Sequence, residues 1–118
     1  MSGFGNQPVI PKPIILTGQT VAGSFVLPAN CVIREIIVFN TTANAITGGL
    51  KFGTTAGATD IAAALAVGAN AFTFLTDALM LKRLFSPTAA QQIFFDAVTL
   101  WNSANVNITI VYENLSNG

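Results

Sequence analysis

At 118 residues the chain suits one domain and little more, and a chain near this length buries a working core without disulfides or metals. Hydrophobic residues are 52% of it and charged residues only 8%, against roughly 25% charged in an average soluble domain. Five basic and five acidic side chains are too few to wet the outside of a small sphere, so Asn, Thr, Ser, Gln and Gly must do so, or partners must cover part of it.

Residues 1–13 read as an extended N-terminal arm. Pro8, Pro11 and Pro13 forbid a helix there, and Gly3 and Gly5 add no core positions. No basic stretch followed by an apolar run marks this segment, so no signal peptide is expected. Residues 14–118 then read as a single β domain. A short strand is expected over 14–17, closed by Gly18, and another over 20–27, with Val21, Gly23, Phe25 and Leu27 on one parity and a stop at Pro28. The strongest strand signal is 31–40. It is β-branched and apolar on both parities, the pattern of a strand covered on both faces, with Arg34 and Glu35 expected on opposite sides. A turn over 41–44 leads to a strand over 45–52, in which Gly48-Gly49 implies a bulge or a close backbone approach.

Residues 53–59 form a Gly/Thr/Ala loop. Asp60 is placed to cap a short helical turn over 61–66, as the alanines there favour helix. Strands are expected over 71–75 and 79–85 around a turn at Asp77, one helical turn over 88–92, and a long strand over 93–101. After a turn at 102–104, the stretch 105–113 alternates cleanly: Val106, Ile108, Ile110 and Tyr112 inward, Asn107, Thr109 and Val111 outward. About eight short strands spaced by turns imply an all-β, jelly-roll-like β-sandwich. An immunoglobulin-like sandwich is the alternative, although its Cys-Trp-Cys signature is missing. The longest charge-free stretches, 13–33 and 61–76, are broken by Gly, Asn, Gln and Pro, so neither reads as a membrane-spanning helix.

Catalytic chemistry has little to work with. There is no histidine, which removes Ser-His-Asp and Cys-His catalysis and the commonest metal ligand. Cys31 is alone, so no disulfide or cysteine cluster forms, and a buried free thiol is expected. Glu35, Asp60, Asp77, Asp96 and Glu113 are too scattered for a local metal loop and read as turn residues, ion-pair partners or solvated groups. The loop Gly53-Thr54-Thr55-Ala56-Gly57 lacks the lysine of a phosphate loop. Lys82-Arg83 is the one basic pair, and with zero net charge nucleic-acid binding is not supported. The sequons at Asn40, Asn107 and Asn114 fit chance in an Asn- and Thr-rich chain. The nine Phe, with Trp101 and Tyr112, read mainly as core and less as a carbohydrate-stacking platform. No catalytic, cofactor-binding or metal residue is assigned.

Several phrases carry a resemblance. They are Leu27-Pro28-Ala29-Asn30-Cys31-Val32-Ile33, Ile46-Thr47-Gly48-Gly49-Leu50-Lys51-Phe52-Gly53-Thr54-Thr55-Ala56-Gly57-Ala58-Thr59-Asp60-Ile61, Phe85-Ser86, and Trp101-Asn102-Ser103-Ala104-Asn105-Val106-Asn107-Ile108. Over roughly residues 20–115 the chain resembles small virion proteins of tailed bacteriophages, of the head decoration (cement) type. The resemblance implies a jelly-roll-like structural protein without catalytic residues. It would form a homotrimer, bind major capsid protein on the outside of a capsid, and reside in the virion after assembly in the host cytoplasm. The alternatives are a receptor- or carbohydrate-binding module of a tail or fibre, and a tail-tube or baseplate subunit. An enzyme comes last. An arm such as 1–13 would lock subunits together by pairing with a neighbour's sheet edge.

Overall fold

The computed structural model describes residues 12–115, with side chains from Pro13 onward. Eight strands follow in order: β1 (Lys12–Gln19), β2 (Gly23–Leu27), β3 (Cys31–Asn40), β4 (Ile46–Gly53), β5 (Ala62–Val67), β6 (Phe72–Thr76), β7 (Gln91–Ala97) and β8 (Val106–Asn114). They form two antiparallel four-stranded sheets, β1-β8-β3-β6 and β2-β7-β4-β5. First pairs with last, second with seventh, third with sixth and fourth with fifth. A long hairpin folded over on itself produces this nesting, and it makes the sandwich a jelly roll. No helix occurs among the described residues.

The core lies between the sheets. Ile36, Val38, Ile108 and Ile110 of one inner face and Leu50, Phe52 and Ile93 of the other are wholly buried. In β8 the alternation expected from the sequence is present: Val106, Ile108 and Ile110 are at 0% exposure, and Tyr112 packs against the core edge.

Strand β3 runs over the expected residues, but its two-sided apolarity has a different cause. The ladder to β8 slips between Ile33 and Glu35, so Arg34 is the extra residue of a bulge. Cys31 and Ile33 point inward before the slip, and Ile36, Val38 and Asn40 after it. The change of parity accounts for part of the pattern; the rest is Ile37 and Phe39, apolar and half-buried on the side turned away from the core. Arg34 and Glu35, expected on opposite faces, both stay out of the core: Arg34 is exposed and Glu35 half-buried.

The Gly48-Gly49 expectation holds. Both glycines have positive φ (81° and 83°), and the β4–β5 register is irregular around them. A Cβ on Gly49 would lie 2.5 Å from the Leu65 carbonyl oxygen, so only glycine lets β5 approach this closely.

Several expectations are corrected. The helical turn over 61–66 is replaced by β5. Ile61 donates its N–H to the Phe52 carbonyl (3.1 Å), and β5 buries Leu65 and Val67. Pairing with β4 outweighs the few tenths of a kcal/mol per residue (~0.5) by which alanine prefers helix. Residues 79–85 form no strand. They cross from one sheet to the other over the end of the sandwich, held by Leu81 N–H to Ile61 O (2.8 Å), Ile33 N–H to Arg83 O (3.0 Å) and a single bridge between Val32 and Leu84. Within them Met80 dips into the core while Leu79 and Leu81 face out. The turn over 88–92 is not helical: it is a bend that feeds β7, which begins at Gln91 and ends at Ala97, well short of Trp101. At the other end of the chain, Lys12 and Pro13 already pair with Tyr112 and Val111, so β1 begins within the last residues expected in the arm. The rest of the expected arm lies outside the described residues.

Candidate interaction surface

The candidate catalytic and ligand groups are dispersed and engaged in structural contacts. Arg34 Nε donates to Glu113 Oε1 (2.8 Å) and its Nη2 to Oε2 (3.2 Å), a two-pronged ion pair that pins the β3 bulge to β8. Donation of these hydrogen bonds to Glu113 raises the Arg34 pKa above its ordinary value. Asp77, in the turn after β6, lies 3.4 Å from Arg83, and Lys82 rests its ammonium 5.3 Å above the Phe85 ring. The basic pair is therefore used within its own crossover. Asp96 accepts from Trp101 Nε1 (2.9 Å).

Asp60 closes the Gly53–Gly57 loop. Its carboxylate accepts from Thr54 Oγ1 (2.6 Å) and Thr54 N–H (2.8 Å), and the Thr54 hydroxyl bond is the main cause of its lowered pKa. An acid thus occupies the donors that a phosphate would need. Asn40 is wholly buried. Its Nδ2 donates to the carbonyls of Asn44 and Gly68 and its Oδ1 accepts from Thr42, so the sequon there is a strut between two loops and not a glycan acceptor. Cys31 is buried as expected. Among the described residues no group of three or more His, Cys, Asp or Glu side chains is placed to hold a metal ion.

What the structure does assemble is an apolar outer face. In a sandwich, the side of each sheet turned away from the core normally carries polar residues. On the β1-β8-β3-β6 sheet, the ladder registers set Ile15, Thr109, Ile37 and Phe74 in one cross-strand row. Phe39 and Phe72 pair in the next row, and Pro13, Val111 and Glu35 flank on the other side. Ile15 is 62% exposed, Phe72 62% and Phe74 49%. Phe39 and Phe72 stack at 4.3 Å between ring centroids, with Phe74 6.4 Å from Phe72. In its central rows this face carries one charge, Glu35. Strand β6 is the sheet edge, and after it Leu79 and Leu81, which line a groove with β5, are exposed at 61% and 72%. Tertiary packing alone gives no reason to spend these side chains on solvent. Adjacent exposed aromatics and aliphatics of this kind mark protein–protein contact.

The aromatic residues thus divide differently from the expectation. Phe25, Phe52 and Phe95 are core, and Trp101 is half-buried and bonded to Asp96, whereas Phe72 and Phe74 are displayed. Period-two alternation identified strand residues but did not say which side faces the core when both sides are apolar. Nothing in the stretch Phe-Thr-Phe-Leu-Thr over 72–76 marks the Phe side as the outward one; only Leu75 is buried.

No protein-family model matches the chain, and no curated protein matches it. Among solved structures it is similar to a chain of the capsid of Ralstonia phage GP4, with a TM-score of 0.56 and 13% identity over 91% of this chain and 84% of that one. A chain from the capsid asymmetric unit of cyanophage Pam1 aligns with a TM-score of 0.42 and 21% identity, over 96% of this chain and 89% of that one. At such identities the likeness to the Ralstonia phage chain is one of fold: an all-β sandwich.

Proposed function

We propose that this chain is a structural protein of a bacteriophage virion, which decorates and stabilises the capsid by binding major capsid protein subunits as a homotrimer. The observation that carries this reading is the apolar outer face of β1-β8-β3-β6 on a chain with so few charges. Such a face is complete only when covered, as a subunit of an assembly is. The phrase-level resemblance to decoration proteins and the fold shared with a phage capsid chain favour a virion as that assembly. The dispersed, structurally engaged ionisable groups favour packing over chemistry as the mode of action.

Co-sedimentation with purified shells of the phage that encodes the chain tests the reading. Saturable binding to assembled shells, with little binding to unassembled capsid protein, is expected. Absence of the chain from purified virions overturns it. Binding to tails or to host polysaccharide in place of shells would transfer the same surface to a tail or fibre protein.

A further inference from the structure

Among the described residues, Glu35 is the acid that the fold leaves unanswered. Asp60 is bonded by Thr54, Asp77 pairs with Arg83, Asp96 accepts from Trp101, and Glu113 pairs with Arg34. No hydrogen bond or ion pair holds the Glu35 carboxylate. Arg34, its neighbour in sequence, is turned to Glu113 by the bulge and held there through both Nε and Nη2. The acids that act on Arg34 are Glu113 and Asp77, not Glu35.

Glu35 is also not set as a solvated surface acid is. It is half-buried on the outer side of β3, between Val111 of β8 and Thr76 of β6, with Pro13 beyond Val111. The next row along the strands holds Ile15, Ile37 and Phe74. Rows on one face are spaced about 7 Å apart. A contact of ordinary size, roughly 800 Å² per partner, that covers Ile15, Phe72 and Phe74 therefore reaches Glu35 as well. It strips the remaining water from the carboxylate. A carboxylate buried without a partner costs enough to cancel much of the apolar gain, whereas a cation set against it fixes orientation and excludes wrong partners. The covering surface must bring a positive side chain.

A second copy of this chain is poorly equipped to do so. Laid face to face, it would bring its own Glu35 and an Arg34 already engaged. Arg83 is paired with Asp77, and Lys82 rests on Phe85. The unpaired Lys51 lies on the outer side of the other sheet, directly across the β4–β7 ladder from Asp96. A Glu35–Lys51 contact would stack front on back, and contacts between opposite faces repeat along a line and do not close into a ring. We propose that, on the reading of this chain as a capsid-binding subunit, the β1-β8-β3-β6 face docks a surface of the major capsid protein in which an unpaired arginine or lysine stands among apolar side chains and closes on Glu35.

Substitutions in the full chain test it, read by co-sedimentation with purified shells and by urea unfolding. Glu35→Gln keeps the size of the side chain and removes its charge. It should lower shell affinity at least about tenfold and leave the unfolding midpoint unchanged, because no contact within the fold is lost. Glu35→Lys should lower affinity further by setting like charges together. Lys51→Gln and Lys12→Gln should each bind as the parent does. A smaller loss for Glu35→Gln, or a shifted unfolding midpoint, overturns the proposal. An equal loss in either lysine variant does so too, since it assigns the cation to a second copy. In all of these cases shell binding by the parent keeps the virion reading standing. A parent chain that binds no shells and is absent from virions ends that reading, and the Glu35 contact with it.

Discussion

Replacing Phe72 and Phe74 together by threonine separates a surface built for contact from one that is merely apolar. A phenylalanine side chain offers ~200 Å². Exposures of 62% and 49% therefore leave roughly 220 Å² of these two residues in water, a conversion that uses the same side-chain area. At about 25 cal/mol per Å², covering that area contributes at most ~5–6 kcal/mol per copy. Ordering and desolvation take up part of it, and central aromatic anchors cost about 2–4 kcal/mol when truncated. The expected loss of affinity for shells is thus roughly 30- to 700-fold. Folding should respond differently. Threonine keeps the strand preference, and the chief interaction removed is the Phe39–Phe72 stack, worth ~0.5–1.5 kcal/mol. Urea unfolding and quantitative co-sedimentation on the same preparation measure both quantities. A variant that binds shells as tightly as the parent refutes the assignment of this face. A variant destabilised by more than about 3 kcal/mol shows that the two rings belong to the fold.

Ile108→Ala, in the wholly buried centre of β8, should cost about 2–5 kcal/mol in chemical denaturation, and a cost near zero would mean that β8 faces the other way. Gly49→Ala should be far more damaging than Gly57→Ala. Both residues have positive φ, but only at Gly49 does the new methyl meet backbone, at 2.5 Å, and thermal melts of the two variants give the comparison. Asn40→Ala strips the strut from Asn44, Gly68 and Thr42 and should cost ~1–3 kcal/mol, with faster amide exchange in the 41–45 and 68–71 loops. Because folding lowers the Asp60 pKa, its contribution is present at neutral pH and is lost as pH falls through the folded value. Thr54→Val should shrink that acid-side decline in a pH series of melts.

Where one face of a strand was apolar and the other polar, the sequence was sufficient. In β8 the alternation from Val106 to Ile110 gave strand and inward side together, and in β4 the adjacent glycines marked the irregularity. It misled where a local signal had two physical causes. Alanine-rich 61–66 has the composition of a helix turn, yet it serves as an edge strand because Gly49, with no Cβ, lets the Leu65 backbone lie close against β4. Residues 79–85 have the apolar content of a strand, but they form a crossover in which Met80 alone is buried, tied to β3 by a single bridge and no ladder. Tertiary neighbours decide such cases, and a single sequence does not contain them.

The apolar surface shows the same ambiguity with a larger consequence. From periodicity, Phe72 and Phe74 are indistinguishable from core phenylalanines such as Phe25 and Phe95, since each sits on an alternating strand parity. Only the topology reveals that their parity in β6 is the outward one, because Leu75 between them is the residue that reaches the core. The low charge count left two outcomes open: a surface of uncharged polar residues, or apolar surface covered by partners. The fold shows apolar surface, and where it lies. Part of the surplus is scattered, at Val21, Val26, Val98 and Leu100, but the exposed phenylalanines and Ile15 lie on one sheet face, with Leu79 and Leu81 on the flank that β5 and β6 share. Clustered aromatics of that kind are the physical reason to look for this chain in an assembly.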